Sequence, residues 1–378
     1  MTAPARIELP ARPRILVIVL RRLGDVLLTT PLIRTIKSGI PDGSVDVLVF
    51  RGTEGMLAGN PDVDRVIAIP EHPSSAESIR AVRVLWRRYD LAISTQTGDR
   101  PTFFACVAGK RRIGLVGRKD AGSWWKSRML NYAVEARLDN HRVSELLRLA
   151  APAGLSPRAE LVCPAASEPR SSLPSGPYAV LHANPMFRIR QWTDAGWRTI
   201  AEAIAKRGLT VVATGGPSSA ERAYLDRIWN AVDLPVLRTD GKLEWPELVT
   251  LLRAAAVYVG PDTSMSHLAA AAGAPTIAIY GPESPARIGP WPIGGLDRSW
   301  AASGTIQHRG NVWIVQNPLP CMPCNLLGCE RHLESHSVCL DELPPERVIE
   351  AIDQALAWRS CASGKAAERQ SNQQAARG

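Results

Sequence analysis

Tyr258–Pro282 reads YVGPDTSMSHLAAAAGAPTIAIYGP. An apolar run enters Gly-Pro-Asp-Thr-Ser, a small-residue helix carries one histidine, and a second apolar run ends at Gly281-Pro282. Thr263 or Ser264 is placed to cap that helix, leaving its backbone N–H groups and positive dipole end toward the loop. A helix start of this kind suits a phosphate, and Asp262 beside it suits a ribose hydroxyl. Alone, the segment also fits an ordinary strand–helix–strand turn. The rest of the chain decides between the two.

Outward from this segment, strands and helices alternate. Tyr178–Ala183, Leu209–Thr214, Val257–Val259 and Thr276–Tyr280 read as strands. Asp194–Arg207, Ser219 to about Ala231, and Trp245–Ala255 read as helices. Upstream, RILVIVL (Arg14–Leu20) is a nearly unbroken apolar run, the mark of a strand buried on both faces. Further strands are expected at Val45–Phe50, Arg65–Ile69 and Leu91–Thr95, with a helix over Ser78–Arg88. Thr30-Pro31 has the form of an N-cap and first-turn proline for a helix reaching Ser38. The stretch CPAASEPRSSLPSGP (Cys163–Pro177) is rich in Pro, Ser and Gly, as a linker should be. The expected organisation is therefore α/β: a disordered N-terminus at 1–13, a doubly wound domain at 14–165, a linker at 166–177, and a second such domain at 178–343. A helix at 344–360 and a disordered tail at 361–378 complete it. Two such domains imply a cleft with ligands at the carboxyl ends of the strands.

The chain has 378 residues and a net charge of +9. Between Arg80 and Arg148 there are 15 Lys or Arg against 6 Asp or Glu, a surplus that equals the whole net charge. Lys110-Arg111-Arg112, Arg118-Lys119 and Trp124-Trp125-Lys126 fall there. Such a surface is either a solvated face or a platform for a polyanion; with no nucleic-acid motif, an anionic substrate or a membrane surface is favoured. No apolar run approaches the roughly 18 residues of a membrane span. The N-terminus lacks the apolar core of a secretion signal, so a cytoplasmic location is expected. Cys321, Cys324, Cys329 and Cys339 form C-x2-C-x4-C-x9-C, with His332 and His336 inside. This departs from zinc-ribbon spacing, and a structural staple or packing is favoured over a bound metal.

Gly24-Asp25 follows the first strand. Gly24 permits a tight path at its carboxyl end, and Asp25 is either a helix cap or a carboxylate able to take a proton from a hydroxyl. Gly24-Asp25 with Thr29-Thr30-Pro31, and Asp262-Thr263 with His267-Leu268-Ala269-Ala270, resemble the bacterial heptosyltransferases, glycosyltransferase family nine. Arg190-Gln191-Trp192, Gly215-Gly216-Pro217, Tyr280-Gly281-Pro282 and the Pro-Cys-x2-Pro-Cys cluster are similar too, over about Arg14 to Ala355.

The resemblance implies a GT-B architecture, with two Rossmann-like domains facing a central cleft, acceptor in the first and donor in the second. It implies an inverting, metal-independent transfer, with no cofactor, from ADP-heptose to the inner core of lipopolysaccharide by an enzyme peripheral to the inner membrane. Asp25 matches the catalytic base; Asp262, Thr263 and His267 match the donor loop; Arg190 matches a basic residue at the donor phosphates. Ser264 and Met265 stand where the family has Gly in its Asp-Thr-Gly loop, a departure that bears on donor geometry. Without a metal, charge on the leaving diphosphate must meet fixed donors such as Arg190, His267 and the helix start. Glu221 is a ribose or adenine contact or an ordinary surface glutamate; Trp192 is expected in the core. Arg51, Lys110, Arg111, Arg112, Arg118 and Lys119 are candidate contacts for an anionic, lipid-linked acceptor. The alternatives are transfer of another nucleotide-linked sugar, a nucleotide-sugar epimerase of similar build, which would need no acceptor, and a non-catalytic binding module.

Overall fold

The computed structural model describes residues 7–117, 124–168 and 173–375, with 362–375 described by backbone alone. The chain divides after Ala165 into two compact units.

The first unit begins with β1 (Arg14–Val19), buried from Ile15 onward as its apolar run requires. α1 (Leu23–Gly39) leads to β2 (Ser44–Phe50), and β3 (Arg65–Ile69) follows. α2 (Ser75–Leu85), β4 (Tyr89–Ser94), α3 (Asp99–Ala108) and β5 (Gly109–Val116) come next. α4 (Trp124–Met129), β6 (Tyr132–Glu135) and α5 (Arg142–Leu147) complete the unit. The sheet order is β3-β2-β1-β4-β5-β6, and each pairing is parallel. The order reverses direction beside β1, so the loops after β1 and β4 lie at a topological switch point.

α1 starts at Leu23, seven residues before the expected cap, and Pro31 lies inside it. A proline there leaves the carbonyl four residues back without its N–H partner. The Thr30 hydroxyl supplies the missing donor, reaching Leu27 O at 2.8 Å. Thr30-Pro31 is thus an internal repair, and Asp25 falls in the first helical turn, where a carboxylate complements the dipole. The N-terminus also departs from expectation: Ile7 is buried, and its N–H donates to Pro152 O.

The second unit holds β7 (Tyr178–Leu181), α6 (Asp194–Ala205), β8 (Thr210–Ala213), α7 (Ser219–Trp229), β9 (Val236–Arg238) and α8 (Trp245–Ala254). β10 (Val257–Pro261), α9 (Ser264–Ala272), β11 (Thr276–Ile279), α10 (Pro285–Ile288), β12 (Ile306–Arg309) and β13 (Val312–Val315) follow. Its sheet order is β12-β13-β11-β10-β7-β8-β9, antiparallel only at β12–β13. α9 is fully buried over Leu268–Ala270 because its alanines let it lie close on the sheet. Asn311 caps its far end, donating to Ala270 O and Ala274 O.

After α11 (Val338–Asp341), α12 runs over Pro345–Ala375, fifteen residues past its expected end at Ser360. The continuation is rich in Ala, Gln, Glu, Lys and Arg, all strong helix formers, and this propensity outweighs the polarity that suggested disorder. Val348, Ala351, Ile352 and Ala355 belong to the second unit's core, as does Trp192, whose Nε1 donates to Leu343 O.

Candidate functional site

In the first unit, a cluster forms at the carboxyl ends of β1 and β4. Asp25 Oδ1 lies 3.5 Å from Arg142 Nε and 3.6 Å from Arg21 Nη1. Arg142 is aimed by a second contact, from Nη2 to Thr95 O at 3.0 Å. Thr95 is itself fixed by its hydroxyl on Ile18 O, so the end of β4 holds the arginine and the end of β1 holds the aspartate. Burial pulls the Arg142 pKa down, while Asp25 works in the opposite direction. The guanidinium remains charged, as arginine does in proteins. Arg51 follows β2 at this same end, exposed, 3.7 Å from Glu77.

Lys110, Arg111 and Arg112 sit elsewhere. Parallel register aligns Ile15 with Leu91 and Leu91 with Arg111, which puts the basic triplet at the amino end of the sheet. Asp25 lies beyond the opposite end of β1, so the sheet separates it from the triplet by about 17 Å, the rise of five strand residues. These three residues therefore do not join the Asp25 cluster. Lys110 pairs with Asp90 at 3.0 Å, and Asp90 also accepts the Arg14 N–H. Lys126 is no surface charge either: it is buried, bonded to Thr97 O and paired with Asp99 at 2.8 Å. Arg118 and Lys119 lie outside the described residues.

In the second unit, Arg190 ends a single 3-10 turn, Arg188–Arg190, pinned by the Ser337 hydroxyl on Ile189 O. Its Nη1 meets Asp262 Oδ2 at 3.2 Å and donates to Asp262 O at 3.1 Å; its Nη2 lies 3.5 Å from Glu283 Oε1. Burial opposes the charge on Arg190, but Asp262 and Glu283 outweigh it and push the pKa up. Burial drives the Asp262 pKa upward, against Arg190. The Tyr280 hydroxyl, bonded to Ile288 O, lies beside Asp262; burial and that carboxylate hold its pKa well above the ordinary value. Asp262 is thus paired directly with Arg190.

Thr263 occupies the N-cap position of α9 without a side-chain cap bond. Thr263 and Ser264 are half-buried, whereas Met265 and His267 are buried. Glu221 has a defined place: Asn184 Nδ2 donates to its Oε1 at 2.8 Å, and Ser218 Oγ donates to its Oε2 at 2.9 Å. A Cβ on Gly216 would strike the Glu221 carboxylate, so glycine there leaves the carboxylate its place beside the Gly-Gly-Pro turn. His182, after β7, shares a hydrogen with Thr214 Oγ1 at 3.0 Å. Burial lowers its pKa to about 4, Glu221 opposing. Arg21, Arg142, His182, Asn184 and Glu283 escaped the sequence reading, whereas Tyr280 was singled out within Tyr280-Gly281-Pro282. Position after a β-strand was the available signal for His182, Asn184 and Glu283; Arg142 offered none.

The four clustered cysteines are free thiols. Burial and the neighbouring thiols of Cys324, Cys329 and Cys321 raise the Cys339 pKa to about 12. His332 and His336 turn to Glu330, at 3.2 and 3.9 Å. Among the described residues, no group of three or more His, Cys, Asp or Glu is arranged to hold a metal ion. The loop has a structural anchorage: Asn325 N–H donates to Pro282 O, and Asn325 Oδ1 accepts from Ser284 N–H. No helix of the described residues is long and apolar enough to cross a membrane.

Residues 79–294, more than half of the chain, match the model of glycosyltransferase family 9 (heptosyltransferase). The chain is 28% identical to lipopolysaccharide heptosyltransferase 1 of Pseudomonas aeruginosa over 373 residues, 91% of this chain and 98% of that protein. It is 27% identical to lipopolysaccharide heptosyltransferase 3 of Escherichia coli K12 over 290 residues, 72% of this chain and 83% of that one. The structure of E. coli ADP-heptose lps heptosyltransferase II is similar in fold, with TM-score 0.69 and 19% identity over 92% of this chain and 99% of that chain. The fold is the GT-B pairing of two Rossmann-like domains. With the family model covering β4 of the first unit and the α9 loop of the second, the chain belongs to glycosyltransferase family 9 and is a glycosyltransferase.

Proposed function

We propose that this glycosyltransferase moves heptose from ADP-heptose to the inner core of lipopolysaccharide, with inversion and without a metal. The observation that carries the reading is the Arg190–Asp262–Glu283 cluster at the start of α9, a fixed cation beside a helix N-terminus. A diphosphate leaving group gains negative charge as the glycosidic bond breaks. Arg190 and the first N–H groups of α9 meet that charge without reorganising. Glu221, held by Asn184 and Ser218, is oriented to accept from a sugar hydroxyl of the nucleotide.

The first unit supplies the base. Asp25 takes the proton of the acceptor hydroxyl, which attacks the anomeric carbon from the face opposite the nucleotide. Arg142 and Arg21 position that carboxylate. Arg51, at the same end of the sheet, contributes positive charge toward an anionic acceptor. The domain roles follow: acceptor binding in 14–165 and donor binding in 178–343.

The test is turnover with purified protein, ADP-heptose and a lipid A–Kdo acceptor, followed by mass spectrometry with and without EDTA. The expected result is an acceptor heavier by one heptose, released ADP, and no loss of rate in chelator. Consumption or isomerisation of ADP-heptose in the absence of acceptor would refute transferase chemistry in favour of the epimerase. Retention of near-native rate by Asp25→Asn would remove Asp25 from the base role.

A further inference from the structure

α2 separates its residues by face. Ala81, Val82 and Leu85 pack on the core cluster of the first unit that includes Leu16, Ile18 and Leu48. The other face carries Ala76, Ile79, Arg80 and Arg83, and the chain leaves the helix through Trp86, Arg87 and Arg88. Ala76, Ile79, Arg80, Arg83, Val84 and Arg88 line one open depression, so these side chains are neighbours on the surface. Trp86 is 61% exposed and Ile79 52%, values unusual for residues whose burial normally drives folding. Phe103, on the adjoining α3, is 48% exposed as well.

The charges around these apolar side chains are predominantly positive. Arg80, Arg83, Arg87 and Arg88 are exposed, and Arg80 acts on Glu77 electrostatically without closing an ion pair. The one carboxylate of α2, Glu77, is engaged in the capping box with Ser74 and faces Arg51. A tryptophan, an isoleucine and a phenylalanine among exposed arginines that outnumber the nearby carboxylate match a surface with an apolar interior and an anionic skin. Tryptophan is enriched at the membrane–water boundary, and juxtamembrane arginines are drawn to anionic headgroups.

We propose that the outer face of α2, with the Trp86–Arg88 turn and Phe103, is a docking surface for an anionic phospholipid bilayer. Ile79 and Trp86 enter the headgroup–acyl boundary while Arg80, Arg83, Arg87 and Arg88 engage lipid phosphates. The surface stands apart from the transferase reading, because vesicle binding is measured without turnover.

Flotation of the full chain with vesicles tests this, comparing pure phosphatidylcholine with phosphatidylcholine containing 30 mol% phosphatidylglycerol. Binding is expected only to the anionic vesicles and should fall in 0.5 M NaCl. R80Q/R83Q should bind about 25-fold more weakly, fivefold for each arginine. R80K/R83K should bind almost as the parent does. I79S/W86S should lose at least tenfold, with unchanged transfer to a soluble, deacylated acceptor and an unchanged melting temperature. Equal binding to both vesicle types, or undiminished binding by R80Q/R83Q and I79S/W86S, would overturn the proposal. So would tighter binding to a single-stranded oligonucleotide than to the anionic vesicles, since the surface would then be a nucleic-acid platform.

Discussion

Arg142 Nε lies 3.5 Å from Asp25 Oδ1 while Arg142 Nη2 holds the Thr95 carbonyl at 3.0 Å, so one guanidinium spans the carboxyl ends of two adjacent strands. Such a bridge fixes a carboxylate in direction as well as in charge. Arg21, on the more exposed side, adds a second cation at 3.6 Å without a comparable anchor.

The consequence is coupling. Asp25→Asn should lower kcat by about 10²–10⁴-fold, the usual worth of a positioned base. Arg142→Ala should lower kcat by about tenfold with a smaller change in KM, because it disturbs aim rather than binding. In the double variant the Arg142 effect should vanish, since the group it positions has gone. Additive losses from steady-state kinetics on the four proteins would count against a positioning role.

Arg190 neutralises two carboxylates at once, and Asp262 is 97% removed from solvent in its side chain, being 3% exposed. Arg190→Ala strands a buried charge and should destabilise the second unit by about 3 kcal/mol or more, read from urea unfolding. Glu283→Gln has the opposite logic. It removes a competitor for Nη2 and a negative charge near the incoming diphosphate. ADP should bind about fivefold tighter by calorimetry, a gain of roughly 1 kcal/mol. Weaker ADP binding by Glu283→Gln would mean that the glutamate contacts the nucleotide itself.

His182 gives a pH dependence with a definite sign. Its pKa is about 4 in the folded protein against 6.5 for the free side chain, because burial disfavours the imidazolium. Between those values the unfolded chain binds more protons than the folded one, so stability falls as pH drops from 6.5 toward 4. The loss is fully developed below pH 4 and amounts to about 3 kcal/mol, at 1.36 kcal/mol per unit. In His182→Gln, whose amide can still meet Thr214, this part of the acid slope should disappear from melting curves recorded between pH 4 and 7. An unchanged slope would show that His182 does not titrate there.

The two sheets were legible because buried parallel strands read as apolar runs: Arg65–Ile69 was placed to the residue, and Arg14–Leu20 to within one. The strand–loop–helix around Asp262 was legible because its residues are consecutive. What failed did so for identifiable reasons. Thr30-Pro31 has the composition of a helix start, yet the same pair repairs a helix interior when the threonine hydroxyl reaches Leu27 O. Lys110–Arg112 read as neighbours of the Asp25 region, but strand register places them at the amino edge, away from Asp25. Arg142 meets Asp25 only through α5, more than a hundred residues later, and a one-dimensional pattern carries no trace of that contact. The tail of α12 was misjudged because polarity argues against burial, not against helix.

Gly216 separates a fold requirement from a site requirement. Its own neighbours leave it no need for positive φ, since the conformation is one that other residues adopt. The obstacle to a side chain is the far end of Glu221, whose Cδ lies 2.7 Å from the position of a Cβ. A flexible glutamate can swing aside at little cost to stability, so Gly216→Ala should melt within a few degrees of the parent. The swing would break the bond from Asn184 Nδ2 and take the carboxylate from its place beneath the turn. Gly216→Ala should therefore weaken ADP binding about as much as Glu221→Gln does, with no further loss when the two are combined. If Gly216→Ala bound ADP normally while Glu221→Gln did not, the glutamate would be acting from a position other than the one its hydrogen bonds define.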